Sequence, residues 1–558
     1  MGSFLQRLKE RKLVQWALAY LAGAFVVFQL LDALETPLGL TASLQLRILF
    51  IIGIGFLVTL VLAWYHGEKG RQRVSGPELL IIAALLVISG VALATLRGPG
   101  RSTGLPPRSD LDDLPGVAVL PCASLSADPG DEYLADALHD EILLQLQKIS
   151  SLFSIGRTSV LRYAENPPAT EVVAADLRVG FVGECTVQKQ GDRIRLIFQL
   201  LDGSSGGQVW AEAYERELTA ENLWAIHGDI ARQIARRVSA VVTPEEQARI
   251  GAIPTENISA YQAYLHGRLE WAKRSEEGLR AAIDFFSTAI EEDPDFARAY
   301  AGLADAYVVV PYYGAFLPAR DAWERATMAA QRAVEINDGL SETHVALGGI
   351  KMYYEWDWEG AESEYQRAIE IDPNNPFAHH WYGFLLRLTG RADEAVEQMQ
   401  MALHLEPFSY PIARNLGQAL TQAGRYNAAI GHYRRMKEDY PNWSGLERSL
   451  AEVHRAMGDH EAVLELSPGG SVEIASLLAL GRRDEALALA DQTERSGLRT
   501  RVNVASALND ADAAIQLLIQ AYDERQPWLT DLAHGSLYES IRSDSRVQDL
   551  IRRMGFPE

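Results

Sequence analysis

Cysteine is scarce in this chain: Cys122 and Cys185 are the only two in 558 residues, which excludes a disulfide framework and a cysteine-rich metal site. Each falls in a run that reads as a strand, where a buried free thiol is the expected state and a single disulfide the alternative. Positive charge is short as well. With 52 Lys and Arg against 74 Asp and Glu the formal net charge is -22, whereas a protein that grips DNA or RNA needs a basic footprint to displace counterions. Nucleic acid is therefore excluded as the expected partner. No long low-complexity tract occurs, and 48% hydrophobic with 23% charged residues fits folded domains, several of them at this length.

The signatures of catalysis are missing too. There is no nucleophile elbow, phosphate loop, zinc spacing or paired-carboxylate motif. Asp128, Asp131 and Glu132 precede a helix and read as caps complementing its positive end, not as an acid–base pair. The run from Gly203 to Gly207 lacks the Lys-Ser/Thr that completes a phosphate cradle and joins two strands, so it reads as a hairpin turn. His139, Asp140 and Glu141 are consecutive on a helix and point in different directions, which cannot make a metal site. A non-enzymatic chain without cofactor or metal is expected.

What is present begins with three apolar stretches, at 13–31, 48–65 and 79–96, none carrying a formal charge. At about 1.5 Å rise per residue each approaches the ~30 Å hydrocarbon thickness of a bilayer. Residues 1–97 thus read as a membrane anchor of transmembrane helices in contact with lipid. Arg7, Lys9, Arg11 and Lys12 precede the first span and Lys69, Arg71 and Arg73 follow the second, which places the amino terminus in the cytoplasm. Three crossings in a bacterial inner membrane then put the soluble domains in the periplasm. Arg97, Arg101 and Arg108 run against that orientation, and two crossings would leave those domains cytoplasmic.

The stretch 98–116 holds Pro99, Pro106, Pro107, Pro115 and four glycines and reads as a linker. Beyond it, 117–242 alternates strand-like and helix-like runs, as in a small α/β domain. Strands are expected at 117–121, 153–156, 179–188, 193–202 and 208–215, and a helix carries the stripe Leu134, Leu138, Ile142, Leu146 and Ile149. The segments VAVLP (117–121), DPGDEYLADAL (128–138), GRTSV (156–160), GDRIRLIFQLLD (191–202) and VWAEAYERELTAENLWAIHGDIARQI (209–234) resemble the TolB amino-terminal-like, or FlgO-like, domain. That resemblance covers about a quarter of the chain. In that family the module stands between membrane segments and helical repeats, sometimes downstream of a nucleotide cyclase domain, and implies no enzymatic activity. Cys122 replaces a usual aromatic and Leu138 a usual glycine.

From 257 onward a period dominates. Pro373, Pro407 and Pro441 are spaced by 34 residues, and Gly383 and Gly417, Gly390 and Gly424, and Ala395 and Ala429 repeat at the same interval. This is the tetratricopeptide pattern, in which small residues let paired helices approach, glycine turns the hairpin and proline ends the second helix. The array spans 257–526 with about eight helical pairs, and 527–558, with Leu537, Ile541, Val547 and Ile551, reads as a carboxy-terminal cap. The fold class is multidomain: transmembrane helices, a small α/β domain, and an α-solenoid of tetratricopeptide repeats.

The resemblance to tetratricopeptide proteins implies a concave groove binding protein or peptide clients, lined by His380, Phe384 and Arg387 in one repeat and Arg414, Gln418 and Gln422 in the next. Arg387 and Arg414 are expected to be exposed, whereas Tyr365, Trp381, Tyr382 and Tyr433 are expected to pack between helices. The expected function is a membrane-anchored scaffold or adaptor. The alternative is a ligand-sensing membrane signalling component acting through the α/β module. Nothing in the sequence sets the oligomeric state.

Overall fold

The computed structural model describes residues 114–128, 131–313, 316–441, 443–492 and 497–557. The expected spans, and the linker up to 113, lie outside the described residues. Among the described residues no helix is long and apolar enough to cross a membrane. All described residues belong to one compact unit, Gly104–Glu558.

The α/β part opens with β1 (Gly116–Val119), β2 (Ala123–Ser124), α1 (Glu132–Gln147), β3 (Phe153–Ser154), α2 (Arg157–Val160) and α3 (Thr170–Leu177). It continues with β4 (Phe181–Gln190), β5 (Arg193–Asp202), β6 (Gln208–Glu217), α4 (Ala220–Arg237) and α5 (Pro244–Gly251). The sheet order is β3-β1-β4-β5-β6, with β2 also on β4. β1 runs parallel to β3 and β4, while β4, β5 and β6 form antiparallel ladders. Val117, Ala118 and Val119 are wholly buried at the sheet centre, as a parallel strand covered on both faces requires. Alternation in β5 puts Ile194, Leu196, Phe198 and Leu200 inward.

Two expectations change here. Cys122 and Cys185 are joined in a disulfide, Cα to Cα 4.6 Å, because the β2–β4 pairing carries the residue just before β2 beside the middle of β4. Asp131 makes no capping hydrogen bond to α1. Its carboxylate accepts from Lys189 Nζ at 2.8 Å, tying the helix start to β4 instead. The run from Gly203 to Gly207 does join β5 to β6, with Asp202 accepting from the Ser204 and Ser205 backbones.

The rest is a solenoid of eight helical pairs among the described residues. The pairs are α6 (Ile258–Ala272) with α7 (Glu276–Glu292), α8 (Ala297–Tyr313) with α9 (Ala319–Ile336), α10 (Ser341–Ile350) with α11 (Trp358–Ile371), and α12 (Pro376–Leu388) with α13 (Ala392–Leu405). The second half has α14 (Tyr410–Gln422) with α15 (Tyr426–Asp439), α16 (Leu446–Ala456) with α17 (His460–Leu466), α18 (Gly470–Ala479) with α19 (Arg483–Asp491), and α20 (Leu498–Ala507) with α21 (Ala511–Asp523).

The hairpin between paired helices needs a left-handed residue, and Gly390, Gly424 and Gly458 supply it with φ of 80, 71 and 77°. Trp356 takes the same place one period earlier at φ 60°. Close approach within a pair is equally specific: a Cβ at Gly417 would overlap the Tyr433 ring. Tyr365, Tyr382 and Tyr433 are buried and Trp381 is partly so. Two 3₁₀ turns (Pro527–Asp531 and Ser536–Tyr538), α22 (Glu539–Arg542) and α23 (Ser545–Arg553) end the chain.

Candidate protein-interaction groove

First helices of successive pairs line the inner face of a solenoid, so the period assigns that face. His380, Arg414 and Arg448 occupy equivalent places 34 residues apart; so do Phe384, Gln418 and Glu452, and Arg387, Thr421 and Arg455. The structure treats the first half of this face differently from the second.

Around α12 the inner face is closed by the chain's own end. Arg387 is buried, and its Nη2 lies 2.9 Å from Asp531 Oδ1 in the closing segment. Its guanidinium also stacks over Phe384 at 4.7 Å from the ring centroid. Arg387 is thus not the exposed residue the period led one to expect, because the closing segment folds back across α12. Trp358 Nε1 donates to the Met554 carbonyl at 2.7 Å and its ring stacks on Phe556. His380 is buried, its Nε2 2.8 Å from Asn415 Nδ2, and burial pushes its imidazole pKa down to about 4. Phe384 is partly buried in the same core.

At α14 and the start of α16 parts of this face stay exposed, whereas α20 is covered by the closing segment through Ser540 on the Ser506 carbonyl and Asp531 on Arg499. Arg414 is exposed, Gln418 is half-buried, and Gln422 is half-buried while donating to the Arg387 carbonyl at 3.1 Å. Of the six expected groove residues, Arg414 and Gln418 therefore face the opening and the other four help to hold it. Sequence reasoning missed Arg448, Glu452, Arg455 and Arg499. Arg448 and Arg499 are exposed, Glu452 is half-buried, and burial raises the Glu452 pKa although Arg414, Arg455 and Arg448 lie close enough to oppose the shift. Extending the 34-residue step once more finds the first three.

A second surface is already occupied. The loops joining one pair to the next, together with the starts of first helices, form one edge of the solenoid, and the α/β module docks there through buried polar groups. Arg298, at the start of α8, donates from Nη1 to Glu141 of α1 at 2.8 Å and from Nε to Glu342 of α10 at 3.3 Å. Asn374 donates its side-chain amide to the Ile149 and Leu152 carbonyls at 2.8 and 2.9 Å, satisfying acceptors just beyond α1 that no helix bond reaches. Glu406 accepts from the backbones of Thr158 and Ser159 and from the Ser159 hydroxyl, at 3.0, 2.8 and 2.6 Å. Burial raises its pKa against those hydrogen bonds. Gly156 is required beside it, since a Cβ there would overlap the Glu406 carboxylate.

The consecutive His139, Asp140 and Glu141 reach Val119, Arg157 and Arg298 respectively. Among the described residues no cluster of His, Cys, Asp and Glu could hold a metal.

A tetratricopeptide-repeat family profile matches residues 364–397, from α11 into α13. "Putative adenylate cyclase 3" of Rhizobium meliloti is 31% identical over 208 residues, 37% of this chain and 35% of that protein. Superkiller protein 3 of Schizosaccharomyces pombe is 26% identical over 211 residues, 36% of this chain and 14% of that one. The chain thus spans about a third or less of these relatives. Among solved structures, Pseudomonas aeruginosa pilF is 19% identical with TM-score 0.26, covering 45% of this chain and 97% of its own. YrrB, a tetratricopeptide-repeat protein with an unusual peptide-binding site, is 20% identical with TM-score 0.23, covering 40% of this chain and 98% of its own. At such scores these superpositions carry no weight beside the period and the profile. The carboxy-terminal part of this chain is a tetratricopeptide-like helical solenoid, with residues 364–397 matching the repeat profile.

Proposed function

We propose that the protein is a membrane-anchored scaffold that recruits a protein or peptide client to the exposed part of the inner face around Arg414 and Gln418. The observation carrying this reading is the change along that face, which is sealed by the closing segment at α12 and exposed at Arg414 and Arg448. The uncharged stretches at 13–31, 48–65 and 79–96 support anchoring in a bacterial inner membrane. The Cys122–Cys185 disulfide favours the three-crossing topology, since disulfides persist in the periplasm and are reduced in the cytosol. The module at 117–242 is read as a TolB amino-terminal-like, FlgO-like domain.

Photo-crosslinking in cells from a probe at Gln418, beside one at an exposed site on a second helix such as Met328, tests the client site. Capture of a discrete protein from Gln418 alone supports it, and equal diffuse labelling from both sites removes it. Protection of Cys122 and Cys185 from thiol reagents until reduction, in intact cells with a permeable outer membrane, tests the compartment.

A second reading has the α/β module sensing a ligand and passing the change to the repeats. It is favoured by the buried Glu141–Arg298–Glu342 bridge, through which any shift of α1 must act on α8 and α10.

A further inference from the structure

The sheet of the α/β module ends at β6, which pairs with β5 on one side. Leu218 N–H donates to the Asp192 carbonyl at 2.8 Å, so the even-numbered residues of β6 turn their backbone groups toward β5. Ala211, Ala213, Glu215 and Glu217 turn theirs to the other edge. An edge is ordinarily blunted by Pro, by a bulge or by a covering element. Residues 208–217 contain neither Pro nor Gly, and the register shift in the β5–β6 ladder lies at Leu200/Leu201, away from 211–217. Within 211–217 every residue but Tyr214 is exposed, so no described element covers the edge. Tyr214 donates to Asp229 of α4 at 2.8 Å. Glu212 and Arg216 flank it on the same side of the sheet with opposite charges, and neither forms a salt bridge among the described residues. Arg216 instead donates to the backbone carbonyl of Glu215 at 2.9 Å.

We propose that a second copy of this chain extends the sheet here, β6 against β6, antiparallel about a two-fold axis at Tyr214. Charge complementarity selects both the occupant and the register. With the axis at Tyr214, Glu212 of each copy stands opposite Arg216 of the other, Ala213 opposite Glu215, and Ala211 opposite Glu217, so no like charges meet. The residues whose backbone groups already turn outward are then the ones that face each other across the new ladder. Glu212 and Arg216 fall at the non-hydrogen-bonded positions, where opposed side chains approach most closely. An axis at Ala213 separates the two charges, and one at Glu212 or Glu215 sets identical carboxylates face to face. A strand from a different protein would require only the backbone edge, whereas opposite charges placed evenly about Tyr214 are what β6 needs to meet itself. The proposal depends on neither the client site nor the membrane anchor.

The test measures the mass of the purified full-length chain in detergent by sedimentation, with Glu212→Arg and Arg216→Glu examined alone, mixed, and combined in one chain. Each alone is expected to weaken self-association at least about tenfold, since like charges then stand opposed at both positions. The mixture and the combined chain are both expected to restore it, because every Arg again meets a Glu. Melting curves should overlay the parent, both side chains being exposed. A second measurement oxidises Ala213→Cys and Glu215→Cys chains together, and a mixed disulfide between them is expected in preference to the Ala213→Cys pair with itself. Dimers that survive both charge variants would overturn the proposal by placing the interface elsewhere. A chain that stays monomeric and gives no mixed disulfide would overturn it outright. Cross-linking of Ala213→Cys in cells to a different protein, with no dimer of this chain, would overturn it in favour of a partner's strand.

Discussion

The edge of the solenoid and its inner face use the same residue types in opposite states. Along the edge Arg298, Glu141, Glu342 and Glu406 are withdrawn from water and each finds a partner on another element. On the inner face of α14 and α16, Arg414 and Arg448 stand exposed. A charge buried with its partner specifies one arrangement of two parts and is costly to break, whereas an exposed guanidinium contributes little to folding and stays available. The edge therefore reads as permanent assembly and the inner face as recognition, although nothing in residue composition distinguishes them.

The comparison is broken most severely at Arg298. Replacing it with Ala removes the hydrogen-bonded cation of the buried Glu141 and leaves Glu342 only the more distant Lys148 and Arg268, and a loss of about 3–5 kcal/mol is expected in urea unfolding. A change below about 1 kcal/mol would mean that the bridge adds little and that Asn374, Glu406 and apolar packing hold the module. Next comes Arg387→Glu, which sets a carboxylate against Asp531 and should lower stability by about 2–4 kcal/mol while loosening the closing segment, read as faster hydrogen exchange at 527–556.

Acid should act on the module side through His227. Burial, with Arg298 nearby, depresses its imidazole pKa to about 3, below the ordinary 6.5 of an unfolded chain. The neutral ring thus contributes stability that is present above pH 6.5 and lost as pH falls toward 3, at up to about 1.4 kcal/mol per pH unit. Neither ring nitrogen has a hydrogen-bond partner, so His227→Leu should fold and show a flatter decline in melting temperature between pH 6.5 and 4. An unchanged slope would assign the acid sensitivity to other groups.

How much of this was legible in the sequence follows from the range of the interactions. Local signals were sufficient for β5, whose alternation runs the length of 193–202, and for the repeats, whose hairpin glycines recur every 34 residues. Contacts between distant segments left no local trace. Nothing in the neighbourhood of Arg387 announces Asp531, so a residue correctly placed on an inner helix was wrongly expected to be exposed. The disulfide depended likewise on β2 lying against β4, and a two-residue strand is too short to show periodicity. Asn374 and Glu406 carry no local signal of their role, because their acceptors and donors belong to the module more than two hundred residues earlier. Arg448 was within reach: it lies one period beyond Arg414, and the weaker small-residue pattern after Pro441 hid it.

The smallest expected effect on folding sharpens the contrast most. Arg414→Glu changes an exposed side chain on an inner helix, and its stability should stay within about 0.5 kcal/mol of the parent. Arg387→Glu makes the same chemical change at a buried position of the preceding repeat and should not be tolerated. If the inner face is a recognition surface, Arg414→Glu should lower client recovery from Gln418 crosslinking while its melting curve overlays the parent. If Arg414 instead belongs to the fold as Arg387 does, both measurements fall together, and the boundary between sealed and open groove must be moved beyond α14.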